Sequence, residues 1–137
     1  MSVEEIKRIA RHLVEEASAG NLSVIDQYIA EDFVDHDAPP GLASGREGVK
    51  QIFAMMDQAF SDMRITFDHE IAEGDKLAQR STTTATHTGE FMGIPATGKT
   101  ITWTETHILR FAGGKIVEHW ANMDELVIMQ QLGVVPA

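Results

Sequence analysis

The chain has 137 residues, 43% of them hydrophobic, no cysteine and a formal net charge of −10. That length suits one domain over 1–137 with a real core and no room for a second. The acidity opposes nucleic acid and anionic membrane as partners, and the missing cysteines exclude disulfides, thiol nucleophiles and cysteine-ligated zinc.

The N-terminus, MSVEEIKRIARHLVEE, is charged throughout. It is therefore no secretory signal, no apolar run approaches membrane-spanning length, and the cytoplasm is the expected address. Ser2 followed by Glu5 fits a capping box, and Ile6, Ile9, Ala10, Leu13, Val14 and Ala17 recur at helical spacing behind it. Gly20-Asn21 ends that helix, and a shorter one is expected from about Ser23 to Ala30 with Ile25, Tyr28 and Ile29 buried. Phe33 to Asp37 reads as a short strand or turn before the breaker run Ala38-Pro39-Pro40-Gly41. His36, between two aspartates, is either a solvated surface group or one that reaches a pocket mouth. A third helix is expected from Ser44-Gly45-Arg46-Glu47 to about Phe60, with Val49, Ile52, Phe53 and Met56 on one side.

From Arg64 the period changes to two, the signature of strands. Ile65, Phe67, His69 and Ile71 alternate with polar residues up to Glu73-Gly74-Asp75, and a threonine-rich strand follows from Lys76 to about Thr88. The loop from Gly89 to Gly98 carries Phe91, Met92 and Ile94, apolar groups that would close a pocket as a lid or pack at a subunit contact. Next come a long strand from Lys99, a turn at Gly113-Gly114, a return strand, and a closing helix from Glu125 to Gln131. Helices first and four antiparallel strands later make the class α+β. A curved sheet with helices on its concave side would leave a cavity for a small molecule.

The long strand carries the chemistry. Residues 101, 103, 105, 107, 109 and 111 are Ile, Trp, Glu, His, Leu and Phe, so one face is apolar except for Glu105 and His107. The bland alternative is a buried, mutually satisfied polar pair, completed by Arg80 or Arg110. As a site, Glu105 would be a base whose pKa rises by desolvation, and His107, about 7 Å along the strand, would donate to an oxyanion or orient a carbonyl. His119 shares parity with Ala121 and can face the same cavity from the next strand, and Trp103 would be either core or an aromatic wall. A metal site is not expected, since His107 and His119 have no HxxxH partner and no third ligand at fixed spacing. No elbow motif supports a Ser-His-Asp nucleophile.

Thr86-His87-Thr88-Gly89-Glu90-Phe91-Met92-Gly93-Ile94-Pro95-Ala96-Thr97-Gly98-Lys99 resembles the loop signature of the SnoaL-like polyketide cyclases. Gly114-Lys115-Ile116-Val117-Glu118-His119-Trp120, Asp124 and Gln131-Leu132-Gly133 resemble the C-terminal pattern of the same family. The resemblance implies the NTF2-like fold, an α+β cone assembled as homodimers or homotetramers through its sheet. It also implies an intramolecular aldol condensation closing a ring on a hydrophobic polyketide ester, with no metal and no organic cofactor. His107 matches the family's substrate-contacting histidine, and Glu105 stands where glutamine is usual. The family's catalytic aspartate falls at Ala121, which transfers no proton. Asp124 matches a widespread family aspartate and is a catalytic candidate or a helix cap. The expected site is thus Glu105, His107 and Asp124 for catalysis, with His119, Trp103, Trp120, His36, Phe91 and Ala121 around the substrate. Epoxide opening or isomerisation in the same pocket, or ligand binding without catalysis, are the alternatives.

Overall fold

The computed structural model describes residues 1–137. Helix α1 (Val3–Ser18) starts as the sequence predicts, with Ser2 Oγ accepting from the Glu5 amide at 3.1 Å, and it buries Ile6, Ile9, Ala10, Leu13 and Ala17. Helix α2 (Ser23–Tyr28) is shorter than expected, because Ile29 turns extended (φ −104°, ψ 130°) and opens strand β1 (Ile29–Asp35). Helix α3 (Gly45–Ala59) leads into β2 (Phe60–Glu73), followed by β3 (Lys76–His87), β4 (Thr100–Ala112), β5 (Lys115–Met123) and α4 (Glu125–Leu132). No helix is long and apolar enough to cross a membrane.

The class is α+β, with one curved, unclosed sheet in the order β1-β5-β4-β3-β2. The four expected strands pair antiparallel, and β3 and β4 run in unbroken register from Lys76↔Arg110 to Thr86↔Thr100. The stretch read as a short strand or turn is a fifth strand that already begins at Ile29: β1 lies parallel to β5, with Val34↔Glu118 and Asp35↔His119 as partners. A register shift between Ile29 and Val34 breaks its alternation, which is why this stretch reads so weakly as a strand. Strand β2 begins four residues before Arg64, with Asp62 at φ 52° inside the irregularity between Ser61 and Arg64. A second shift between Phe67 and His69 leaves Ile65 and Phe67 facing the helices but Ile71 on the outer face, so Ile65, Phe67, His69 and Ile71 do not share one side as their spacing suggests.

Two apolar clusters flank the cavity. The larger joins α1, α2 and β1 to Leu77, Leu109, Phe111 and Ile116, and the smaller gathers Phe60, Ala85, Ile101 and Trp103 with Ile128 and Leu132 of α4. The loop after β3 belongs to the smaller cluster. Its Phe91 ring lies 5.1 Å from Phe60, Ile94 pairs with Phe91 through two backbone bonds, and Met92 stays exposed. The loop is anchored where the Thr88 and Gly89 amides both donate to Ala59 O at 3.0 Å. A Cβ at Gly89 would stand 2.0 Å from Gln58 O, a clash with backbone that no rotamer relieves. Gly89→Ala is therefore expected to destabilise the fold by about 2–3 kcal/mol. A urea midpoint within error of the parent would contradict that close approach.

Candidate active site

Alternation along β4 turns Trp103, Glu105, His107 and Leu109 inward, and the antiparallel register sets His119 and Met123 beside them on β5. From β3 come Gln79, Ser81 and Thr83, the direct cross-strand partners of His107, Glu105 and Trp103. Apolar side chains of α1, α3 and β2 complete a cavity of about 180 Å³.

The polar groups form a continuous chain. Trp103 Nε1 donates to Glu105 Oε2 at 2.9 Å, and Glu105 Oε1 lies 3.1 Å from His107 Nε2. His107 Nδ1 lies 2.8 Å from His119 Nε2, with the rings stacked at 17°, and His119 Nδ1 lies 3.1 Å from Asp35 Oδ1. The parallel pairing of β1 brings Asp35 there, fixed by the His36 amide donating to His119 O at 2.9 Å. Asp35 also accepts from the Asp37 amide at 3.1 Å, and Asp37 Oδ2 in turn accepts from the Ala121 amide at 2.8 Å.

Two expectations change at this point. Burial pushes the Glu105 carboxyl up, but the hydrogen bond and charge of His107 and the Trp103 indole outweigh it, so the group sits below its ordinary value rather than near neutrality. Burial likewise pushes Asp35 up, and the hydrogen bond and charge of His119 hold it down. Second, both ring nitrogens of His107 are engaged, so it has no free N–H for a substrate oxyanion. The Ser81 hydroxyl, directly opposite Glu105, faces the cavity and is the better placed donor.

The remaining expected residues divide by strand parity and capping. Asp124 caps α4, its Oδ1 accepting from the Val127 amide at 3.2 Å, and it does not line the cavity. His36 and Trp120 stack at 4.7 Å on the opposite face of the sheet, where His36 Nε2 meets Glu118 Oε2 at 2.7 Å. Phe91 packs into the smaller cluster, away from the lining. Ala121 is the cross-strand partner of His107 and places only a methyl group there. Sequence reasoning missed Asp35, Gln79, Ser81 and Thr83. For the β3 three, the odd-numbered parity of their strand was the available signal. No three His, Asp or Glu side chains converge to hold a metal ion.

The family profile of the SnoaL-like polyketide cyclases matches residues 7–132. The chain belongs to that family. A SnoaL-like relative, the aklanonic acid methyl ester cyclase DnrD of Streptomyces peucetius, is 26% identical over 129 residues, which is 91% of this chain and 88% of DnrD. Among solved structures, IdmH of Streptomyces antibioticus is 34% identical, covering 93% of this chain and 97% of its own, with a TM-score of 0.79. TsrD of Streptomyces laurentii, at 24% identity, shares the fold with a TM-score of 0.90 over 98% of this chain and 99% of its own. The SnoaL-like fold thus extends over almost the whole length, including the parallel β1 that carries Asp35.

Proposed function

We propose that this SnoaL-like chain carries out acid–base chemistry on a small hydrophobic carbonyl compound, an intramolecular aldol cyclisation of a polyketide ester, without a metal or organic cofactor. The observation that supports it is an ionised carboxylate, Glu105, held at the polar end of an otherwise apolar cavity by one indole N–H and one imidazole. Glu105 removes a proton α to a carbonyl, and the Ser81 hydroxyl hydrogen-bonds the enolate oxygen. The enolate carbon then bonds to a second carbonyl carbon, and the alkoxide so formed takes the proton back from Glu105. No atom is gained or lost, and the base is regenerated. Glu105 in this scheme does the work that the family's aspartate would do from position 121.

The kinship with a methyl ester cyclase favours this reaction over others in the same pocket. The test is a panel of aromatic polyketide methyl esters, epoxides and enones, followed by mass and chromatographic shift. Cyclisation of an ester without change in mass supports the proposal. Consumption of an epoxide or isomerisation of an enone moves the chemistry to those classes, and tight binding with no turnover leaves a ligand-binding module.

The homodimer or homotetramer expected from the resemblance would form through the outer face of the sheet. Ile71, Ala78, Ile108 and Trp120 are successive register partners across four strands on the outer face, and Ile71 and Ile108 are 71% and 40% exposed. A second copy of this chain, bringing the same row, would cover it. Ile108→Glu is expected to lower the sedimenting mass by at least half, and an unchanged oligomer would place the contact elsewhere.

A further inference from the structure

We infer that Glu105, His107, His119 and Asp35 act as one proton relay, in which Asp35 is a positioning residue that governs the protonation of Glu105 through the two rings. The inference rests on the reading of Glu105 as the base, and it deepens that reading by assigning a role to a residue on a different strand.

The relay has three contacts, at 3.1, 2.8 and 3.1 Å, and each needs one proton. Two neutral imidazoles supply only two, which would leave one contact with acceptor facing acceptor. A third proton satisfies all three. With both carboxylates ionised, that proton makes one imidazolium shared between the rings, and the relay carries one net negative charge. Shifting protons by one place gives neutral rings and a protonated Glu105, with the same count and charge. Asp35 and Glu105 thus compete for one proton at opposite ends of a single chain of contacts.

The Asp35 carboxylate favours the arrangement that keeps this proton on the rings, close to itself, and leaves Glu105 free to accept one from a substrate. When Glu105 does so, the relay passes from one negative charge to neutral, and it returns when the alkoxide is protonated. Other charged groups around the cavity are already committed: Glu70 on β2 pairs with Arg11 of α1, and Asp37 holds the Ala121 amide. The part of α3 lining the cavity is apolar.

The sign of one substitution decides the matter. Asp35→Asn keeps an oxygen to accept from His119 but removes the charge that stabilises the imidazolium. If the relay operates, Glu105 loses its cationic neighbour and its titration midpoint rises, by about one pH unit. A bare through-space field gives the opposite result, since deleting a negative charge makes a nearby carboxyl more acidic. The measurement is the 13C carboxyl signal of Glu105 across pH in substrate-free protein, with thermal unfolding to verify the fold. A rise in Asp35→Asn, absent when the same change is made in a His119→Gln background, supports the relay. A fall or no change overturns it. Should Asp35→Asn not fold, His119→Gln alone must raise the midpoint, and an unmoved midpoint there overturns the relay equally. Because the signal is read without substrate, a Glu105→Gln variant that kept turnover would remove the proposed function while leaving the relay intact.

Discussion

Glu105→Gln is expected to lower kcat by about 10²–10⁴-fold, the usual worth of a positioned general base. The exchange is nearly isosteric. The amide oxygen can still accept from Trp103 Nε1, and the amide NH₂ can donate to His107 Nε2 once that nitrogen gives up its proton. Packing is therefore kept while proton-accepting capacity at the cavity is lost, so the far-ultraviolet spectrum and thermal midpoint should stay close to the parent's. The loss should fall on kcat more than on KM, because the missing interaction develops only as the proton moves. Full turnover in a folded Glu105→Gln protein would remove Glu105 from the chemistry. The next base in line would then be Asp35, which also lines the cavity and whose carboxyl is likewise held in the ionised form.

The inward pair on β4 was legible because nothing interrupts its alternation. Trp103, Glu105 and His107 share a parity, the β3–β4 register has no shift, and Gly113 and Gly114 take the positive φ values (58° and 79°) that a tight return requires. His119 followed from the same parity on β5. That parity also sets Trp120 on the far face, so its nearness in sequence to His119 carried no information about the cavity. Asp35 could not be read this way. Its partner lies 84 positions away, the pairing is parallel, and a register shift breaks its pattern just upstream. Local periodicity reports which face a residue occupies, but only the assembled sheet reports which distant strand lies beside it.

The protonation of Glu105 shows the same limit in energetic form. An isolated carboxylate on an apolar face implies a raised pKa, since desolvation is the one contribution visible in a single strand. The opposing contributions come from His107, from the Trp103 indole and, more weakly, from the charge of His119 on a second strand. Together they reverse the direction. Ala121 gains a physical context in the same way. The family's acid is missing there, while an ionised carboxylate stands one strand across and two residues along, at Glu105.

Trp103→Ala is expected to destabilise the fold by about 3–5 kcal/mol, the range for emptying a large aromatic site in a core. Trp103 is 2% exposed, its ring lies 5.2 Å from Phe60, and it belongs to the cluster that α4 closes. The same side chain supplies one of the two protein hydrogen bonds to Glu105, so its removal would disturb both the core and the base. Trp103→Phe separates the two effects. It keeps most of the apolar volume but leaves Glu105 Oε2 without its donor, so the stability loss should fall to about 1–2 kcal/mol, while the carboxyl is held down less firmly. Urea unfolding at constant m-value gives the first quantity, and the carboxyl titration gives the second. If Trp103→Ala cost under about 1 kcal/mol, the ring would be a replaceable cavity wall rather than core. If Trp103→Phe left the Glu105 titration untouched, the indole N–H would not be among the groups that keep this carboxylate ionised.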